Sequence, residues 1–208
     1  MHIDHPIFLD SVRLIRQRLG PTQLDELQQD VLVRLIHTSG DFALADVLQF
    51  SPQACQLGLQ ALRQGASILT DTTMAKAAVT PMAQRTLGTS VHCLLQWAPA
   101  EPPPGSTRSA EGMRRAWDAL TSQAPAPLLL IGSAPTALEV MVDLLETGAT
   151  APSLVIGMPV GFIGVEDAKR RLAQSGLDQI RLDGTRGGAA LVAASVNALL
   201  RRASQGIK

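Results

Sequence analysis

Apolar residues recur at helical spacing through the first third of the chain. Ile7, Phe8, Val12, Leu14, Ile15 and Leu19 lie between Pro6 and Gly20-Pro21, which predicts a helix over 6–19 and its stop. Leu27, Val31, Leu32, Leu35 and Ile36 form the inner face of a second helix that starts at Thr22 or Asp25 and ends near His37. Gly40 breaks the pattern and 41–50 reads as helical. Ser51-Pro52 then predicts a helix over 53–64, capped by Ser51, with Pro52 at its first position and Gly65 closing it.

The period changes beyond Gly65. Ser67 to Asp71 reads as a short strand and Ser90 to Trp97 as a longer one, and the apolar runs ending at Gly132, Met158 and Gly184 add three more. Helical patterns over 109–122, 136–147, 165–175 and 187–203 separate most of these strands, while 72–89 carries no assigned element. The proline-rich stretch 98–105 and the shorter 123–127 are loops, because the alternation resumes unchanged beyond each. The pattern predicts a single α/β domain over 1–208, a mostly parallel central sheet flanked by helices, with a helical N-terminal third.

Three of the predicted strands run into small residues and then a helix. Leu154-Val155-Ile156 leads into Gly157-Met158-Pro159-Val160-Gly161-Phe162-Ile163-Gly164, Leu128 to Ile131 into Gly132-Ser133-Ala134-Pro135-Thr136, and Ile180-Arg181-Leu182 into Gly184-Thr185-Arg186-Gly187-Gly188. Such strand ends let backbone approach a ligand closely and offer N–H groups at helix N-termini, so one shared cleft is expected there.

Composition narrows the classes of partner. The 208 residues carry a formal net charge of zero and no Lys/Arg-rich run, which sets nucleic acid aside. The longest nearly uncharged apolar stretch, 154–165, is short of the about 20 residues a membrane span needs. The first residues lack the basic and apolar regions of a signal peptide, so a soluble cytoplasmic protein is expected. Cys55 and Cys93 stand far apart without CxxC or Cys/His spacing, which reads as two buried free thiols and gives no metal or disulfide framework.

Few residues announce chemistry by pattern alone. His37 lies between an apolar helix face and the polar turn 38–41, where it serves either as a satisfied structural histidine or as a group that exchanges a proton near neutral pH. The turn Gly105-Ser106-Thr107-Arg108-Ser109 presents a guanidinium among hydroxyls. It reads either as a helix cap beside a solvated arginine or as a partner for a carboxylate or phosphate, and Arg186 has the same two readings. No GxGxxG, P-loop, GxSxG or HExxH pattern is present.

Taken in order, Ser11, Leu35-Ile36-His37, Ile68-Leu69-Thr70-Asp71 with Met74, Thr107-Arg108-Ser109-Ala110, Gly132 to Leu138, Gly157 to Gly164, and Arg186-Gly187-Gly188 followed by Asn197 resemble the precorrin-8X methylmutase family of corrin biosynthesis. The family includes cobalt-precorrin-8 methylmutases, and the resemblance covers nearly the whole chain. It implies an isomerase that moves a methyl group from ring carbon 11 to ring carbon 12 of a tetrapyrrole, giving hydrogenobyrinic acid or its cobalt counterpart without external cofactor or metal ligand.

Carried over by position, His37 would be the acid that protonates the macrocycle. Arg108, with Ser11 and Thr107 nearby, would hold its carboxylate arms. Ser133, Thr136, Pro159, Gly161, Arg186 and Gly187 would complete the substrate-binding set, with backbone N–H groups of 132–136, 157–161 and 187 as further donors. The resemblance also implies a homodimer with its site near the interface. Ser133 stands where the family usually has asparagine, Asp167-Ala168-Lys169 replaces Glu-Ser-Lys, and Ala189 replaces serine. These departures leave open a corrinoid carrier on the same scaffold, and the glycine-edged strand ends taken alone leave open an unrelated nucleotide or anion-binding α/β domain.

Overall fold

The computed structural model describes residues 5–122 and 124–205. Helices α1 (Pro6–Leu19), α2 (Glu26–Ser39) and α3 (Leu44–Val47) lead into β1 (Leu48–Phe50) and α4 (Ala54–Arg63). The chain then alternates β2 (Ile68–Thr70), α5 (Thr73–Thr86), β3 (Val91–Cys93), α6 (Arg108–Leu120), β4 (Leu128–Ile131), α7 (Pro135–Glu146), β5 (Leu154–Gly157), α8 (Val165–Gln174), β6 (Gln179–Leu182) and α9 (Ala189–Ser204).

The strands form one sheet in the order β1-β6-β5-β4-β2-β3, in which only β1 runs antiparallel, against β6. A parallel sheet needs both faces covered, which explains why Leu128 to Ile131 and Leu154 to Ile156 are apolar without a break. Their side chains still alternate. Leu128, Leu130, Leu154, Ile156, Ile180 and Leu182 join the core under α2, α4, α5 and α9, whereas Leu69, Leu129, Ile131 and Val155 join the core under α6, α7 and α8. Helix α9 packs on α2, α4 and α5, and this central place accounts for its Ala/Leu/Val-rich sequence.

The connections reverse direction once. From β2 the chain steps to β3 on one side, returns past β2 to β4, and continues outward to β5 and β6. The crevice between the carboxyl ends of β2 and β4 is therefore the topological switch point of an open α/β sheet.

Local signals settle several boundaries. Asp25 rather than Thr22 starts α2: its Oδ1 accepts from Gln28 N at 2.9 Å while Gln28 Oε1 accepts from Asp25 N at 3.0 Å. The helix expected over 41–50 is confined to Leu44–Val47, because Leu48 to Phe50 pair with Leu182 to Ile180 as an edge strand. Ser51 does not cap α4; its hydroxyl accepts from Gln179 N at 2.9 Å, its own N–H donates to Gln179 O at 2.9 Å, and the helix begins at Ala54 after a left-handed Gln53. The strand expected over 90–97 stops at Cys93, where residues 94–96 tighten into a 3-10 turn. The unassigned stretch holds α5, capped by Thr72 through Ala75 N at 3.1 Å and carrying Pro81 in its interior. Cys55 and Cys93 are free and buried. Among the described residues, no helix is long and apolar enough to cross a membrane.

Asp25 also accepts from Gln56 at 2.9 Å, tying the start of α2 to α4. Asp25→Ala should cost about 1–2 kcal/mol and Asp25→Ser should recover most of it, read from urea unfolding. An unchanged midpoint in the alanine variant would show that the cap is idle.

Candidate active site at the carboxyl ends of the strands

Asp71 follows β2 directly and is fully buried at the switch point. Its Oδ2 accepts from the N–H groups of Gly132, Ser133 and Ala134 at 3.0, 2.6 and 2.9 Å, while Oδ1 is buried without a partner. Burial pushes this carboxyl above the ordinary carboxylate range, against the three N–H bonds, which pull it down. The turn 132–134, expected to donate to a ligand, is thus filled by the protein's own side chain.

The neighbouring loops are locked onto that turn. Val160 N donates to Gly132 O at 3.2 Å, Met158 N to Ile131 O at 2.8 Å, Gly161 N to Thr185 O at 3.2 Å and Gly188 N to Met158 O at 2.9 Å. These loop N–H groups are likewise committed within the protein. Close approach requires the glycines here: a Cβ on Gly132 would lie 2.7 Å from Ala189 N, and one on Gly187 would collide with Met158 O.

Lys169 is the second buried ion of the rim, only 2% exposed. Its Nζ donates to Gly184 O and Arg186 O, both at 2.6 Å, and so ties α8 to the β6–α9 loop. Burial lowers this ammonium to about 8, opposed by Asp183 and Glu166. Lysine at this point carries a signal in the sequence. It sits on the buried stripe Val165, Ala168, Lys169, Leu172, where a charged residue needs internal partners.

Thr107 caps α6, accepting from Ala110 N at 3.1 Å, and its hydroxyl lies 2.8 Å from that of Thr136 at the start of α7. Arg108 opens the same helix, exposed, with Nε donating to Pro99 O at 3.1 Å. Ser133 and Thr136 are half-buried beside them, and Pro159 is buried beneath the β5 loop.

His37 lies in the last turn of α2, which ends at Gly40 with φ 70°. Its ring is exposed and meets Phe8 of α1 edge-on at 5.0 Å between centroids. Partial burial, and then the charge of Arg34, lower its pKa below the ordinary histidine value. Ser11 is half-buried three residues beyond Phe8, on the same face of α1. Arg186 pairs with Asp41 at 3.4 Å, which joins the His37 turn to the loop that carries Gly161's partner Thr185.

The structure thus brings the candidates to one rim running from His37 and Asp41, through Arg186 and Gly161, to Ser133, Thr136 and Thr107. Met74, Phe162 and Ile163 are strongly exposed at these strand ends, with Val160 about half exposed. Among the described residues no group of three or more His, Cys, Asp or Glu side chains is placed to hold a metal.

Glycine-edged loops and titratable groups gathered at the carboxyl ends of an open α/β sheet mark the place where enzymes of this architecture bind their ligands. The chain belongs to the precorrin-8X methylmutase family, whose model matches residues 6–202. It is 35% identical to the cobalt-precorrin-8 methylmutase of Synechocystis over 95% of both chains. It is also 35% identical to the precorrin-8X methylmutase of Pseudomonas aeruginosa over 93% of both. A crystal structure of precorrin-8X methylmutase from Thermus thermophilus superimposes with a TM-score of 0.86 at 35% identity, covering 97% of this chain and 99% of that one. The protein is a methylmutase of the cobalamin pathway.

Asp71→Ala leaves three N–H groups without their acceptor, that of Gly132 fully buried, and should cost about 3–5 kcal/mol, whereas Asp71→Asn keeps an acceptor and should cost much less. A folded-state pKa above the unfolded value means that the native state holds the proton more tightly. The wild type should therefore lose stability relative to Asp71→Asn as pH rises from about 4 through the folded pKa. A flat difference across that range would show that Asp71 stays ionised.

Proposed function

We propose that this chain moves a methyl group from carbon 11 to carbon 12 of precorrin-8X or cobalt-precorrin-8, with His37 as the proton donor. The observation that carries this reading is the exposed, acid-shifted imidazole at the rim of a chain that matches the family over nearly its full length. Protonating the conjugated ring withdraws electron density from it and lowers the barrier to a sigmatropic shift. Product and substrate have the same composition, so the proton returns to His37 within each turnover. One positioned acid contributes about 10²–10⁴-fold; holding the rigid macrocycle near its transition-state shape supplies the rest.

Arg108 is exposed with its planar donor set at the opening of α6, suited to a carboxylate arm, and the paired hydroxyls of Thr107 and Thr136 stand beside it. Ser11 shares a helix face with Phe8, on the side where His37 packs. The substrate sets the demand for such side chains, because the backbone donors of 132–134 are already used by Asp71. Phe162 and Ile163, each 89% exposed, form an adjacent apolar pair suited to the self-complementary contact of a homodimer. Two free thiols accord with a cytoplasmic enzyme.

The test is an anaerobic visible-absorption time course with each substrate, expected to show the corrin chromophore. Binding without conversion would favour a corrinoid carrier instead. His37→Ala should bind but lose about 10²–10⁴-fold in turnover, and normal turnover in that variant would sink the acid role. Arg108→Ala should weaken binding about tenfold or more. Because the acid form is required and its pKa is lowered, kcat/KM should fall as pH rises through a value below 6.5.

A further inference from the structure

Phe8 has basic neighbours on three sides. His37 meets its edge, the guanidinium carbon of Arg34 lies 4.7 Å from its centroid, and that of Arg201 on α9 lies 5.1 Å away. Next to this ring a cavity of about 250 Å³ opens between α1, α2 and α9, with Leu9, Val12, Val33 and Ala198 on its apolar side.

The arginines around this cavity are not equivalent. Arg16 and Arg202 share Asp30, and Arg202 also reaches Glu26 at 2.8 Å, so both are neutralised. Arg34 is different: its Nε is buried without a hydrogen-bond partner, and among the described residues no carboxylate pairs with it. Its contact is the face of Phe8. A guanidinium does not shed its proton to escape burial, so a half-buried one without a counter-ion is a receptor for an anion. Its planar fork suits a carboxylate, and the apolar wall beside it suits the methylenes of a short chain rather than a bare inorganic ion.

We propose that this cavity is a carboxylate subsite in which Arg34 takes an acetate or propionate arm of the tetrapyrrole while the macrocycle lies against His37. The subsite rests on the methylmutase reading for the identity of its ligand. Its geometry supports the link, because Arg34 and His37 sit one turn apart on α2 and pack on the same phenyl ring, so a substrate over the imidazole is within an arm's reach of the guanidinium.

The experiment uses the whole protein, labelled with ¹⁵N, with glutarate as the probe. The Nε–H resonance of Arg34, identified by its loss in Arg34→Lys, should shift and saturate with glutarate, and chloride at equal ionic strength should not reproduce the shift. No response at Arg34, or an equal response to chloride, would overturn the subsite; the titration itself is read on the wild type, and the conservative lysine variant serves only to assign the resonance. In the turnover assay, Arg34→Gln should raise KM about 10–100-fold with kcat changed less than about threefold, and Arg34→Lys should recover part of the loss. An unchanged KM in both variants would overturn the assignment to a substrate arm. If the wild type converts neither substrate while glutarate still saturates Arg34, the carboxylate site stands and the proposed reaction on these two substrates falls.

Discussion

The rim depends on one carboxylate bound to three consecutive backbone N–H groups. Open α/β sheets leave a crevice where the chain reverses direction, and the turn after the adjoining strand presents donors to whatever enters. Here the occupant is Asp71, supplied by β2 itself. Filling the crevice from within fixes the turn 132–134, and through Gly132 O and Val160 N it fixes the β5 loop as well. The β6 loop is referenced in turn to Gly161 and Met158. A ligand therefore meets a preformed surface of loops, and any negative charge it brings must be met by side chains.

Lys169 is the counterpart of opposite sign. Where Asp71 gathers N–H groups, the buried ammonium gathers the carbonyls of Gly184 and Arg186, so donors and acceptors left over at the strand ends are each taken up by an internal ion. A buried charge is tolerable only when hydrogen-bonded, and each of these two ions makes at least two such bonds. The departure Asp167-Ala168-Lys169 leaves this tie intact, since the lysine that makes it is retained. Ala189, where the family usually has serine, is buried with its backbone against Gly132.

Most of the fold was legible because long periodic segments are decided locally. The strands ending at Ile131, Gly157 and Leu182 and the helices between them follow from apolar runs and their breaks. What misled was decided at a distance. Leu48 to Phe50 continue a helical pattern, yet pairing with β6 over 130 residues away makes them a strand, and the same pairing takes Ser51 away from the helix it was expected to cap. Helix α5 hid behind Pro81 and a buried face of mainly small residues, Ala75, Val79, Met82 and Ala83. At the site, the order of motifs marked which segments converge, but not how their polar groups are spent. Nothing near Gly132 in the sequence shows that Asp71 has taken its N–H, and nothing near His37 shows that Phe8 lies against it.

That last contact bears on the acid role proposed for His37. Lowering the pKa of His37 makes its imidazolium a stronger donor but a rarer one at neutral pH. The groups around it are Arg34 on its own helix, Phe8 from α1, Arg201 of α9 across that ring, and the Asp41–Arg186 pair beyond the turn. Burial depresses His37 most, and of these groups the charge that adds to it is that of Arg34, the cation without a carboxylate partner among the described residues. An arm seated on Arg34 would cancel that influence just as the macrocycle arrives over the imidazole, raising the protonated fraction only when there is a ring to protonate. Binding and proton supply would then be coupled through one guanidinium. The empty enzyme would then hold the imidazole proton less tightly, and the ligand's own charge would restore it.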